Sequence, residues 1–189
     1  MGVSLTSAGA FAEGLGHYDQ AIALYDPIEH GPLATRFSVD VGVGILCYRS
    51  WALWLLGRPD AALADIDHAL KHARKIGQAA TLMHALALTS STHIFCGNYA
   101  AASALLNELV ALADEKSALY WKAWGTVSQG WLLALSGKAS DAVQMITTGI
   151  NAHRSTGATI YVPMYLSHLM RAYAEVGQSD DAGAASKKQ

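Results

Sequence analysis

The sequence predicts an all-α chain, a right-handed superhelical solenoid of antiparallel helix hairpins with a period of about 40 residues. Four observations predict it. Glycines recur at Gly16, Gly57, Gly97, Gly137 and Gly177, spaced 41, 40, 40 and 40 residues apart. Five residues after each stands an alanine: Ala21, Ala62, Ala102, Ala142 and Ala182. Nine residues after comes a larger side chain in four copies (Tyr25, Ile66, Leu106, Ile146), with Ser186 in the fifth. Finally, no alternating apolar–polar run bounded by hairpin turns is present, so strands are not expected. The 189 residues therefore count as four to five repeats, each a helix A, a glycine turn, a helix B and a second turn.

In chain order, the first helix A covers 2–15. The helix B after it ends early, because Pro27 and Pro32 flank Ile28–Gly31. Val41–Leu56 is the next helix A. In Asp60–Lys75, Leu63, Ile66, Leu70 and Ala73 recur at three- and four-residue steps, which marks one face of an amphipathic helix. Asp60 is its expected N-cap, and Arg74 and Lys75 suit its C-terminal dipole. Second turns follow at Gly77, Ser117 and Gly157, with Arg36 in the first copy. Ala79–Cys96, Leu119–Ser136 and Thr159–Val176 complete the A helices, and Pro163 suits a first turn. Leu105, Leu106, Leu109, Leu112 and Ala113 line one side of the third helix B. The phased alanines let helix B approach helix A closely. The repeat domain is expected over 1–182, with a disordered tail over 183–189.

Composition excludes several function classes. Hydrophobic residues make up 52%, charged residues only 15%, and mean hydropathy is +0.21, which rules out disorder. A formal charge of -2 leaves no electrostatic footprint for nucleic acid. Two cysteines, Cys47 and Cys96, make no disulfide framework, and a reducing, cytoplasmic setting fits. Residues 76–107 carry no Asp, Glu, Lys or Arg, but His84, His93, Thr89–Thr92 and Gly97-Asn98 interrupt any membrane span. Burial between other helices explains the same composition.

No catalytic set stands out. Asp65, His68 and His72 share helical spacing that could hold a metal, but they read as a wet polar face. His84, His93 and His168 lie on A helices; His93 aligns with Leu53, Leu133 and Tyr173 and reads as a packed, hydrogen-bonded histidine. Gly42-Val43-Gly44 and Gly14-Leu15-Gly16 complete no phosphate loop, and Lys71, His72, Arg74 and Lys75 read as a helix C-terminus. No enzyme, metal or cofactor is expected.

The glycine turn, the aromatic two residues later (Tyr18, Tyr99), the alanine at five, the bulky residue at nine and the small Ala69 together resemble tetratricopeptide repeats. Gly9, Ser50, Ser90 and Gly130, each seven residues before a turn glycine, match the small position of that family's helix A. The period is longer than the family's 34 residues, and its closing proline is missing. Ala21–Pro27, Tyr48–Gly57 and Gly137–Ala142 also resemble the C-terminal helical region of bacterial proteins that join an adenylate/guanylate cyclase domain to a signalling ATPase.

The resemblance implies a concave groove lined by A helices. Its register places Gly44, His84 and Trp124 on one track, Cys47, Ala87 and Val127 on a second, and Trp51, Ser91, Trp131 and Arg171 on a third. Trp51, His84, Trp124, Trp131 and Arg171 are thus the candidate partner-binding residues of a non-catalytic regulatory scaffold. Its partner would be a protein, a peptide or another domain of the parent protein. Large aromatics also fill cores, and Trp54 and Trp121 fit that reading. A ligand-sensing interior is the alternative. The last helix A lacks a full cover, so it either frays or self-associates through Tyr165, Leu169 and Tyr173.

Overall fold

A computed structural model describes the backbone of residues 1–186 and the side chains of residues 1–177. The expected tail, 183–189, falls outside the residues whose side chains are described. The described chain is helical throughout: α1 (Gly2–Ser7), α2 (Phe11–Leu24), α3 (Pro27–His30), α4 (Leu33–Phe37), α5 (Val41–Leu55), α6 (Pro59–Ile76), α7 (Ala79–Phe95), α8 (Tyr99–Glu115), α9 (Leu119–Leu135), α10 (Ala139–Ser155) and α11 (Val162–Ser186). It forms two compact units, Met1–Leu105 and Leu106–Gln189. Among the described residues no helix is long and apolar enough to cross a membrane.

Most of the turns share one hydrogen-bond pattern. Gly57 has φ +73°, donates to the Trp54 carbonyl, and Arg58 N–H reaches back to the Leu53 carbonyl at 2.9 Å. This double closure satisfies two orphan carbonyls at a helix end and needs a left-handed residue. Gly97 and Gly137 repeat it, and Ser117 carries it at φ 53°. Gly77 and Gly157 are left-handed as well, at φ 72° and 82°.

The first and last copies depart from the expected phase. Gly16 lies inside α2 and Gly177 inside α11, and neither makes a turn. The first turn is instead at Gly9, φ +86°, where Ala10 N–H bonds the Leu5 carbonyl at 2.9 Å in the same closure. Counting from Gly9 restores the repeat. Gly14, five residues on, meets α1 so closely that a Cβ would lie 2.6 Å from Thr6 Oγ1. Tyr18, nine residues on, is buried. Gly9 is therefore a turn residue and not the small position of a helix A. The first period is then 48 residues, eight longer than the later ones, and the α3–α4 insertion accounts for the extra length. After Gly177 no bulky apolar residue occurs nine positions on to anchor a returning helix.

In the inner copies the small-then-bulky rule holds: Ala62, Ala102 and Ala142, with Ile66, Leu106 and Ile146, are all core residues. Asp60 sits in the first turn of α6, whose N-cap is Arg58 and whose first residue is Pro59. Proline is preset for that place. In the second unit α9 and α10 approach through glycine twice. A Cβ on Gly130 would meet Ile146 Cγ1 at 2.7 Å, and one on Gly149 would meet Val127 N at 2.9 Å.

Polar groups fasten the first unit. Arg49 of α5 binds Asp65 of α6 through two bonds of 2.7 and 2.8 Å, and Asp19 of α2 through one of 2.9 Å. Asp65 is only 4% exposed and Arg49 is its ion-pair partner; breaking a buried pair by removing one partner costs about 3–5 kcal/mol. Buried Asp40 caps α5 at Val43 N–H, accepts from Tyr25 Oη at 2.8 Å and donates its own N–H to Thr81 of α7. Thr81 in turn donates to Gln78, which donates to the Ala34 carbonyl. α7 is buried nearly all round, as its lack of charge suggests. Its Thr89, Ser90, Ser91 and Thr92 hydroxyls return to their own helix carbonyls, and Thr92 meets Ser50 of α5 at 2.9 Å.

Three glycine variants separate these roles. Gly57→Ala forces a left-handed alanine and lowers stability by about 1 kcal/mol. Gly149→Ala drives a methyl into α9 and costs about 1–3 kcal/mol. Gly16→Ala, with nothing within 4 Å of its Cβ, gains up to about 1 kcal/mol of helix propensity. Urea unfolding measures all three; a destabilised Gly16→Ala would return the first turn to Gly16.

Candidate functional site

The candidate groove residues divide between buried and accessible. In the first unit, Trp51 of α5 is half-buried, edge-on to Tyr48 and to Phe95 of α7. His84 of α7 is 8% exposed and packs edge-on to Tyr48 of α5. In the second unit, Trp124 of α9 is 1% exposed, with Tyr161 and Tyr165 set against it at 4.5 and 6.0 Å. Trp131 of α9 is half-buried and stacks on His168 of α11 at 3.9 Å, their planes 11° apart. Arg171 of α11 is exposed and donates to Glu175 at 3.2 Å.

His84 and Trp124 are therefore core residues and not groove residues. The family register assigns helix A positions to a groove by spacing alone, but burial depends on the size of what packs across. Tyr48 lies over His84, and the segment before α11 together with α11 itself lays two tyrosines over Trp124. The second track is closed too: Cys47, Ala87 and Val127 are fully buried. Trp51, Trp131 and Arg171 keep accessible surface.

The same packing sets the histidine chemistry. Burial pushes the His84 imidazole down to about 4. Burial, then the Arg171 charge, brings His168 to about 4 as well. His93 is lowered by burial, and its Nδ1 finds no hydrogen-bond partner among the described residues, contrary to the hydrogen-bonded reading. Burial pushes the Cys47 thiol up to about 12, with Asp65 adding to it. Cys96, half-buried, is raised by burial and Asp60. Neither thiol is primed as a nucleophile.

Asp65, His68 and His72 do not share a wet face. Asp65 is buried on Arg49, His68 is exposed, and the His72 ring lies edge-on to Tyr25 at 6.0 Å. Among the described residues no group of three metal-ligating side chains occurs.

A cluster that spacing did not single out fills the second unit. His153 of α10, 0% exposed, lies between Tyr120 of α9 and Tyr165 of α11, at 5.0 and 5.1 Å. The repeat register held the signal: His153 stands where Ala73 and Ala113 are buried, and Tyr165 where Ala85 and Gly125 are. Tyr165 thus faces the core and is not on a free face of α11. Leu166, Met170 and Tyr173 form the exposed stripe there instead, with Met170 70% exposed and Leu169 half-buried.

The buried histidines make stability fall on acidification. Their folded pKa values lie below the ordinary 6.5, so the unfolded chain binds protons first. Their contribution is complete above about 6.5 and is lost as pH falls toward 4. Urea midpoints at pH 7.5 and 5 should differ, and His84→Phe should shrink the difference; a midpoint independent of pH over this range contradicts it.

The family model of the tetratricopeptide repeat matches residues 45–64, the span that holds most of α5, the Gly57 turn and the start of α6. No curated protein matches the chain. The matched segment and the all-helical architecture show a tetratricopeptide-like helical repeat.

Proposed function

We propose that the chain is a non-catalytic protein-interaction or regulatory scaffold, part of a larger bacterial signalling protein. Its repeats over 1–182 would act as one domain, wound into the right-handed superhelix that the period suggests. Binding would bias the nucleotide-processing domains of the parent. Tetratricopeptide repeats generally mediate protein–protein contacts, and the likeness to cyclase–ATPase proteins supports the setting. The observation that carries the reading is the Trp131–His168 stack with Arg171 one turn further along α11. A half-buried tryptophan held flat by a neighbour is a preorganised contact surface. Tryptophan and arginine are the residue types that most often anchor interfaces. The titratable groups support the non-catalytic part: Asp40 and Asp65 are committed to structural bonds, and His84 and His168 are held neutral.

The immobilised chain should capture a protein partner, and Trp131→Ala and Arg171→Ala should each weaken capture by about 2 kcal/mol with unchanged circular dichroism. Capture that neither substitution alters counts against this surface. The α11 stripe supports self-association as well. Sedimentation should then show a concentration-dependent dimer that Met170→Glu converts to monomer; a wild-type monomer at all concentrations removes it.

A further inference from the structure

Resting on the interaction reading, we infer that a cleft on the α9–α10 pair receives a basic side chain, arginine or lysine, from a protein partner. The cleft has a volume of about 470 Å³ and is lined by Thr126 and Leu133 of α9 and by Asp141, Gln144, Met145 and Thr148 of α10. That volume lies within the range of ligand-binding clefts, about 300–1,000 Å³. Thr126 and Leu133 are two turns apart on one face, as are Asp141 and Thr148, so the cleft runs about 10 Å along the helices. Leu133 and Asp141 flank the Gly137 turn in sequence, which puts the carboxylate toward one end and the two hydroxyls toward the other.

The chemistry of the lining selects the occupant. Thr126 Oγ1 donates to the Lys122 carbonyl and Thr148 Oγ1 to the Gln144 carbonyl, each at 2.9 Å. Both hydroxyl hydrogens are thereby used, and what the oxygens still offer is lone pairs. Asp141 adds a carboxylate, the one charge lining the cleft, and it has no ion pair among the described residues. Gln144 adds a carbonyl and the one donor group. An anion would meet acceptor against acceptor. An ammonium or guanidinium carries donors only, and its methylene stem suits the apolar floor of Leu133 and Met145.

The test uses two acetylated, amidated hexapeptides with a central Leu-X-Leu, where X is arginine or its uncharged isostere citrulline. Binding is followed by the ¹³C-methyl resonance of Met145 on the full chain. The arginine peptide should shift that resonance, and the citrulline peptide should bind at least about tenfold more weakly, which corresponds to about 1.4 kcal/mol. Asp141→Asn should weaken the arginine peptide to the same degree. Because Asp141 also lies in the first turn of α10, exposed Gln144→Lys provides a second variant. Its ammonium, three residues from Asp141 on the same helix, should abolish peptide binding without loss of fold. A Met145 methyl that the arginine peptide leaves unmoved, equal binding of the two peptides, or full binding by both variants overturns the cleft. Partner capture that still depends on Trp131 and Arg171 would then leave the scaffold reading standing. Lost capture with intact peptide binding would do the reverse.

Discussion

Everything in this chain depends on how closely a helix B can approach its helix A. A left-handed residue closes helix A with two backbone bonds and releases the chain in a new direction. Five residues later the backbone must carry a hydrogen or a methyl. Gly14, Ala62, Ala102 and Ala142 fill that position, and at Gly14 even a methyl would collide with α1. Only with that close approach does the bulky residue four positions on, Tyr18, Ile66, Leu106 or Ile146, reach the core. The α9–α10 pair extends the constraint, with Gly130 and Gly149 letting the two backbones meet at two points.

Close helices leave little room for water, so polar groups between them must be satisfied within the protein. The first unit does this for its hydroxyls and carboxylates, while the buried His93 Nδ1 finds no partner among the described residues. Hydroxyls on α7 bond their own helix, Asp40 joins α5 to Tyr25 and Thr81, and Arg49 neutralises Asp65 while reaching Asp19. The Asp40–Thr81, Arg49–Asp65 and Ser50–Thr92 bonds link separate segments at defined atoms, so they fix register as well as contact. A purely apolar interface of alanine and leucine would fix it less sharply. The second unit relies instead on ring packing, in which Trp124, His153 and Tyr165 occupy space that alanine, glycine and neighbouring side chains fill in earlier copies. The imidazoles held there stay neutral because no charge compensates their desolvation.

Two surfaces follow from this construction. Trp131 is half-buried, with His168 stacked flat on it. The α9–α10 cleft lies on a helix pair whose backbones approach closely at Gly130 and Gly149, and Thr126, Leu133, Asp141 and Thr148 line it. The first surface is aromatic with a cation nearby, and the second carries one carboxylate beside Leu133 and Met145.

The helix–turn–helix repeat, the turns at Gly57, Gly97 and Gly137, and the small-then-bulky rule of the B helices are all legible in the residue order. Those features are local, because a left-handed turn and a helical face each involve residues only a few positions apart. The phase of the first copy came from packing, since Gly9 and Gly16 both precede usable helical spacing and contact with α1 selects Gly9. Packing also decided the candidate site. His84 and Trp124 share the spacing of Trp51 and Trp131, yet tyrosines from neighbouring segments cover the first two and leave the others accessible. Asp65 shares the spacing of His68, yet Arg49 draws it inward. Exposure is set by side chains that arrive from distant segments, and helical spacing within one segment carries no record of them.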